Sequence, residues 1–84
     1  NKNIIIGHSH QQYHRIINNY DLINPGSIGQ NRQNIELSNY IIWDVEKNKF
    51  HLKELLVNPN LLINELEIRK YPKICIDYYK NKIK

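Results

Sequence analysis

The chain of 84 residues has no Met, no Ala and no Thr, and only one Cys. A single cysteine, Cys75, excludes an internal disulfide framework and points to a reducing compartment, so a cytoplasmic protein is expected. No stretch approaches the roughly 20 apolar residues of a membrane span, and no secretory signal pattern heads the chain. The missing Met, with an apolar run three residues from the start, gives the expectation that this is a piece of a longer protein. A chain of this length buries only about two-thirds of its unfolded surface, so its own core is expected to be modest.

What is abundant is equally skewed. Ile (15), Asn (13) and Lys (9) make up 37 of the 84 residues. All three have A/T-rich codons, so the excess is treated as compositional drift, and a lone Ile, Asn or Lys carries little information. The net charge is +4. Most of it is a C-terminal surplus at Lys80, Lys82 and Lys84, where cations complement a helix dipole. Nucleic-acid binding needs a denser basic stripe with interleaved aromatics, so nucleic acid is expected only as a substrate.

The apolar pattern supplies short elements. Ile4-Ile5-Ile6, bounded by Gly7, predicts a buried strand. Residues 14–17 and 20–23 predict a hairpin around Asn18-Asn19. Asn24-Pro25-Gly26-Ser27 fits a type II turn, with Pro at the second position and Gly at the third, where φ is positive. Residues 30–36 are polar and predict a loop. Residues 40–43 and 50–57 predict a second hairpin. Asn58 suits a helix N-cap and Pro59 the first helical position. That helix should stop near Lys70, because Pro72 disfavours helical backbone at Tyr71. A second helix from Pro72 would place Ile74, Cys75, Tyr78 and Tyr79 on one core-facing stripe, with Cys75 an inert buried thiol.

Three of the four histidines, His8, His10 and His14, fall within seven residues. In an extended chain alternate side chains share a side, so His8 and His10 would present two imidazoles to one space. Imidazole binds Zn and suits Fe, Ni and Cu. Two ligands are too few for a site. His14 aligns with His10 only in a helix, and is expected on a strand facing solvent or a neighbour. His51 is expected to be structural.

Gly7-His8-Ser9-His10 after the Ile run, followed by Asn24-Pro25-Gly26-Ser27-Ile28-Gly29-Gln30 and Arg32, resembles the C-terminal part of the calcineurin-like metallophosphoesterases. The likeness is to their small bacterial and archaeal phosphodiesterases. A strand pair follows, as residues 38–44 and 50–57 do here, so the resemblance covers about residues 3–57. It implies phosphodiester or phosphomonoester hydrolysis at a site of two divalent ions, about 3.5–4 Å apart. Mn, Zn, Fe, Ni or Mg would serve. It implies that His8 binds one ion and His10 the other. Gly7 would let the backbone turn tightly, and Ser9 would be a spacer facing away. Asn24, Gly26 and Ser27 would form a turn beside the site, with backbone N–H groups directed at it. Arg32 is a candidate phosphate contact, because guanidinium matches phosphate oxygens.

The family's other ligands come from Asp-x-His, Gly-Asp-x-x-Asp and Gly-Asn-His/Cys-type motifs and one further His. None is present, since the only aspartates are Asp21, Asp44 and Asp77. The segment alone is therefore expected to be inactive. The remainder of the enzyme domain, upstream or on another chain, would supply the missing Asp, His and Asn ligands. The expected fold is an α/β (α+β) segment, a mostly antiparallel sheet with two C-terminal helices on one face. It would form half of a four-layer αββα sandwich, with residues 1–57 as sheet and metal loop and 58–84 as helical tail. Its open apolar face would need cover, and a homo-oligomer is one candidate for that. Cupins, metallo-β-lactamase-like enzymes and amidohydrolases also use His-x-His. The first two place ligands where His14, Arg15, Gln12 and Tyr13 stand here, and the last does not predict the Asn-Pro-Gly-Ser hairpin. A non-enzymatic α+β interaction module with a basic tail is the remaining alternative.

Overall fold

The computed structural model describes residues 2–83. They form a mixed α+β chain of five strands and two helices: β1 (Lys2–Ile5), β2 (Tyr13–Ile17), β3 (Tyr20–Asn24), β4 (Leu37–Asp44), β5 (Lys49–Leu56), α1 (Pro59–Ile68) and α2 (Lys73–Lys82). Each predicted element is found, with boundaries moved by at most three residues. The strands make two sheets, one in the order β1-β3-β2 and one a β4-β5 hairpin. Two sheets and two helices are seen among the described residues, and four layers are not.

In the first sheet β1 pairs parallel to β3, and β2 pairs antiparallel to it. The two-residue turn at 18–19 puts Asn18 in the left-handed region, φ 56°, which Asn tolerates better than most side chains. Cross-strand partners share a face, which sorts the sheet's side chains. Asn3, His14, Asp21 and Ile23 lie on the face turned to the second hairpin. There Asn3 donates to Asn48 at 2.7 Å, His14 meets the Phe50 ring edge-on at 5.4 Å, and Ile23 is fully buried. Ile4, Ile17, Tyr20 and Leu22 share the opposite face and line an open, wholly apolar trough. The expectation of a buried Ile4-Ile5-Ile6 strand is therefore corrected. β1 is an edge strand, one of its faces is bare, and these residues remain 41–48% exposed.

The β4-β5 hairpin turns through residues 45–48. Asp44 accepts from the Lys47 N–H and Asn48 takes a left-handed φ of 50°. Trp43 stacks on Phe50, its cross-strand partner, at 5.6 Å. Beyond β5 the helices pack on each other and over the 28–36 connection, not across a sheet face as expected. Ile35, Ile63 and Leu66 are the buried apolar residues there. Tyr79 reaches a small cavity shared with Ile28, Ile35 and Val57. Burial holds its phenol above the usual tyrosine range, with Tyr78 and Cys75 adding to the effect.

The apolar stripe of α2 is a second correction. Cys75 is exposed and Ile74 is 79% exposed, because the 370 Å³ cleft between Leu66, Tyr71 and this stripe is open. The basic tail behaves as a helix end. Lys80 pairs with Glu67 at 3.4 Å and Lys82 sits over the Tyr78 ring, while Lys84 lies outside the described residues. Among the described residues no helix is long and apolar enough to cross a membrane.

The exposed surface is 6445 Å² and the radius of gyration 15.7 Å. A compact monomer of this mass would expose roughly 5,300 Å², and one of this length would have a radius of about 12 Å. Exposed apolar side chains on both sheets and on α2, among them Ile4, Ile16, Leu56 and Ile74, accompany that excess.

Asn58 caps α1 by accepting from the Asn60 N–H at 3.0 Å, and Pro59 follows it, as the sequence predicts. The far end closes as a Schellman motif: the Lys70 N–H reaches Glu67 O and the Tyr71 N–H reaches Leu66 O. Lys70 fills the left-handed position, φ 56°, that glycine usually takes. Lys70→Gly should therefore raise stability by about 0.5–1 kcal/mol, read as a higher urea midpoint. A lower midpoint would show that the Lys70 side chain contributes more than its backbone costs.

Candidate metal centre

The strand order 1-3-2 fixes where the histidines fall. β1 and β3 run parallel, so their carboxyl ends lie side by side, and β2 begins at that same end. The 6–12 connection must therefore pass across the carboxyl end of β3, where Asn24 is the last residue. Ile6 extends the ladder by one bond, its N–H donating to Ile23 O at 2.9 Å. The chain then leaves the sheet at Gly7.

His8 and His10 both stand in the left-handed region, with φ of 83° and 61°. The expected extended run, with alternate side chains sharing a side, is thus corrected: the pair is held in a strained bend. Left-handed backbone costs an ordinary side chain about 1–2 kcal/mol. Such strain collects at functional sites, where the surroundings over-determine it. Gly7 is not the tight turn. Its φ is not positive, and a Cβ there would meet nothing within 4 Å. The turn is made by the histidines themselves.

Ser9 is a latch and not a spacer. Its Oγ accepts from Asn24 Nδ2 at 2.9 Å and from the Gln11 N–H at 3.4 Å. Asn24 is fully buried and also donates to Gly7 O at 3.4 Å. Its Oδ1 accepts the Gly26 N–H at 2.9 Å. That N–H is turned inward onto Asn24, which corrects the expectation that the turn's N–H groups face the site. Gln12 closes the far end of the loop. Its amide lies within hydrogen-bonding distance of Tyr40 O, Lys53 O and Pro25 O.

The Asn-Pro-Gly-Ser turn is stitched to β4. Gly26 has φ 85°, as a type II turn requires, and an added Cβ would lie 2.6 Å from Asn39 Cβ. Ser27 O accepts the Asn39 N–H at 2.9 Å, and Ser27 Oγ accepts the Gln30 N–H. Ser38 Oγ donates to Ile28 O. Asn39 Oδ1 accepts from Asn31 at 2.8 Å, and Asn31 in turn caps the backbone of Gln33 and Asn34. Gln12, Asn31 and Asn39 were not legible as site-builders, because amide residues are so common in this chain.

His10 Nδ1 is buried and has no hydrogen-bond partner. A buried polar nitrogen left so costs about 1–3 kcal/mol. His8 is exposed. Two imidazoles in one short loop, one with a buried and unpartnered nitrogen, are a donor set that fits a metal ion in kind. Among the described residues no group of three or more His, Cys, Asp or Glu gathers as a complete site. His14 is not part of the pair, as expected. It lies on the sheet face turned to the second hairpin, its Nε2 at 2.9 Å from Asp21 and its ring against Phe50. His51 is exposed on β5. Arg32 is exposed and makes no side-chain hydrogen bond or ion pair among the described residues, so nothing ties it to the histidine loop. No family model, no curated protein and no solved structure matches the chain.

The Gly26 contact gives a direct test. Gly26→Ala should cost about 2–4 kcal/mol, from left-handed backbone and the displaced Asn39 side chain together. Gly29→Ala, with open space and no positive φ, should stay within about 0.5 kcal/mol of the parent. Equal shifts in urea midpoint would show that the turn does not lean on β4.

Proposed function

We propose that this chain supplies the Gly-His-x-His metal motif of a two-metal phosphoesterase, acting on a phosphodiester or phosphomonoester. The observation that carries the reading is His10. Its ring nitrogen is buried and unpartnered, in a left-handed bend two residues from a second imidazole. The bend lies at the carboxyl end of a parallel strand pair, a usual position for α/β active sites. The resemblance of Gly7-His8-Ser9-His10 and Asn24-Pro25-Gly26-Ser27 to the metallophosphoesterases supports it, since Asn24 joins the two motifs through Ser9.

A pair of divalent ions (Mn, Zn, Fe, Ni or Mg) supplies Lewis acidity and an acidified water at neutral pH. The chain's own part is presentation. His8 would serve one ion and His10 the other, each as a neutral imidazole. Ser9 and Asn24 hold the loop between them. Arg32, whose guanidinium is exposed, stays the candidate for a phosphate oxygen. The remaining Asp, His and Asn ligands come from the rest of the enzyme domain. That part would also cover the trough formed by Ile4, Ile17, Tyr20 and Leu22. A cytoplasmic setting suits the exposed thiol of Cys75.

His10→Ala in the full-length protein tests this. Metal content should fall below two ions per chain, and hydrolysis of a bis-aryl phosphodiester should drop at least about 100-fold. Unchanged metal load and unchanged hydrolysis would remove His10 from the site. A full-length parent without stoichiometric Mn, Zn, Fe, Ni or Mg would end the phosphoesterase reading altogether.

A further inference from the structure

We infer that Asn24 is the positioning residue of the histidine loop, and that its side-chain amide sets the backbone from which both imidazoles project. As a statement about metal binding this rests on the phosphoesterase reading; as a statement about the loop it does not. Topology carries the 6–12 connection across the end of β3, and Asn24 is the residue waiting there, 0% exposed. It acts in two directions at once. Its oxygen accepts from Gly26, fixing its own turn, and its nitrogen donates to Ser9 Oγ and Gly7 O, fixing the loop.

Only an amide of this length does both. An ionised Asp keeps the acceptor for Gly26 and loses the donor to Gly7 O, but the Ser9 hydroxyl can turn round and donate to it; Leu keeps the shape and loses every one of these bonds. The anchored residue, Ser9, lies between two left-handed residues. Holding Ser9 therefore constrains the backbone on either side of it, and so the directions of His8 and His10. Left-handed histidines persist only where surroundings compel them. Within the loop itself the only other bond is the long one from the Gln11 N–H to Ser9. Gly7 makes no contact that would hold the bend sterically.

The test uses the full-length protein, stripped of metal and titrated with Mn²⁺ or Zn²⁺. Ser9→Ala removes the anchor at an exposed position but leaves the buried Asn24 Nδ2 with Gly7 O alone, so the urea midpoint should fall modestly while the protein stays folded. Its metal half-saturation should rise about 10–100-fold, the range for groups that orient a ligand. Ser9→Thr, which keeps the hydroxyl, should bind as the parent does, and Asn24→Leu, which removes donor and acceptor together, should weaken binding as Ser9→Ala does. In the metal-free protein the ring NMR signals of His8 and His10 should move in Ser9→Ala and return in Ser9→Thr. Unmoved ring signals and parental half-saturation in Ser9→Ala and in folded Asn24→Leu would overturn the inference. A loss of binding that only follows the loss of fold would also overturn it. If the parent itself takes up neither ion, the phosphoesterase reading falls, and the metal-free ring signals alone decide for or against Asn24.

Discussion

The parallel pairing of β1 with β3 is the constraint from which the rest of this chain follows. It puts two carboxyl ends side by side and leaves β2, which must run the other way, on the far side of β3. The connecting segment has no route except over the end of β3. A short polar loop drawn across a strand end would leave backbone groups without partners, and buried backbone groups are rarely left so. The amide of Asn24 meets that need at Gly7 O, and the side chain of Gln12 ties the far end of the loop to carbonyls of β4 and β5. The histidines are presented where they are because the loop is fastened at both ends and bent between.

How much of this was legible in the sequence depends on the range of the interaction. Strand runs, the Asn58-Pro59 helix start, the stop before Pro72 and the Pro25-Gly26 turn are local, set by φ preferences and periodicity, and the structure has them within a few residues. The left-handed backbone at His8 and His10 was not legible, because nothing in an imidazole demands it; it is imposed by contacts with Asn24, fifteen residues beyond Ser9. Asn24 stood out only through the Pro-Gly that follows it. Asn31 and Asn39 had no such neighbours, and among 13 asparagines their buried pair was invisible.

The misjudged burials share one cause. Periodicity says which side of an element is apolar, but not whether another layer lies against it. Ile4 to Ile6 and the Ile74-Cys75-Tyr78-Tyr79 stripe were rightly seen as apolar faces. They are uncovered because the described residues form fewer layers than the pattern provides for. The second hairpin shows the contrast. It covers the Ile23 face of the first sheet, and there Ile23 is fully buried, whereas Leu22 on the opposite face lines open trough.

The histidine loop and the bare faces then belong to one argument. Two left-handed residues at about 1–2 kcal/mol each, and a buried nitrogen at about 1–3, are a large share of the 5–15 kcal/mol by which domains are stable. The Asn24, Ser9 and Gln12 bonds hold the loop in that shape against the cost, yet His10 Nδ1 stays unpartnered. On the phosphoesterase reading proposed above, a bound ion would offset part of that cost, because the strained form would hold a ligand that a relaxed loop would not. Two imidazoles would direct that gain toward a metal ion, and a protein layer on the Ile4-Leu22 face would bring the remaining ligands within reach of the same strand ends. The same layer would cover the apolar trough, so the cost of the bend and the bare face would be met by one partner segment.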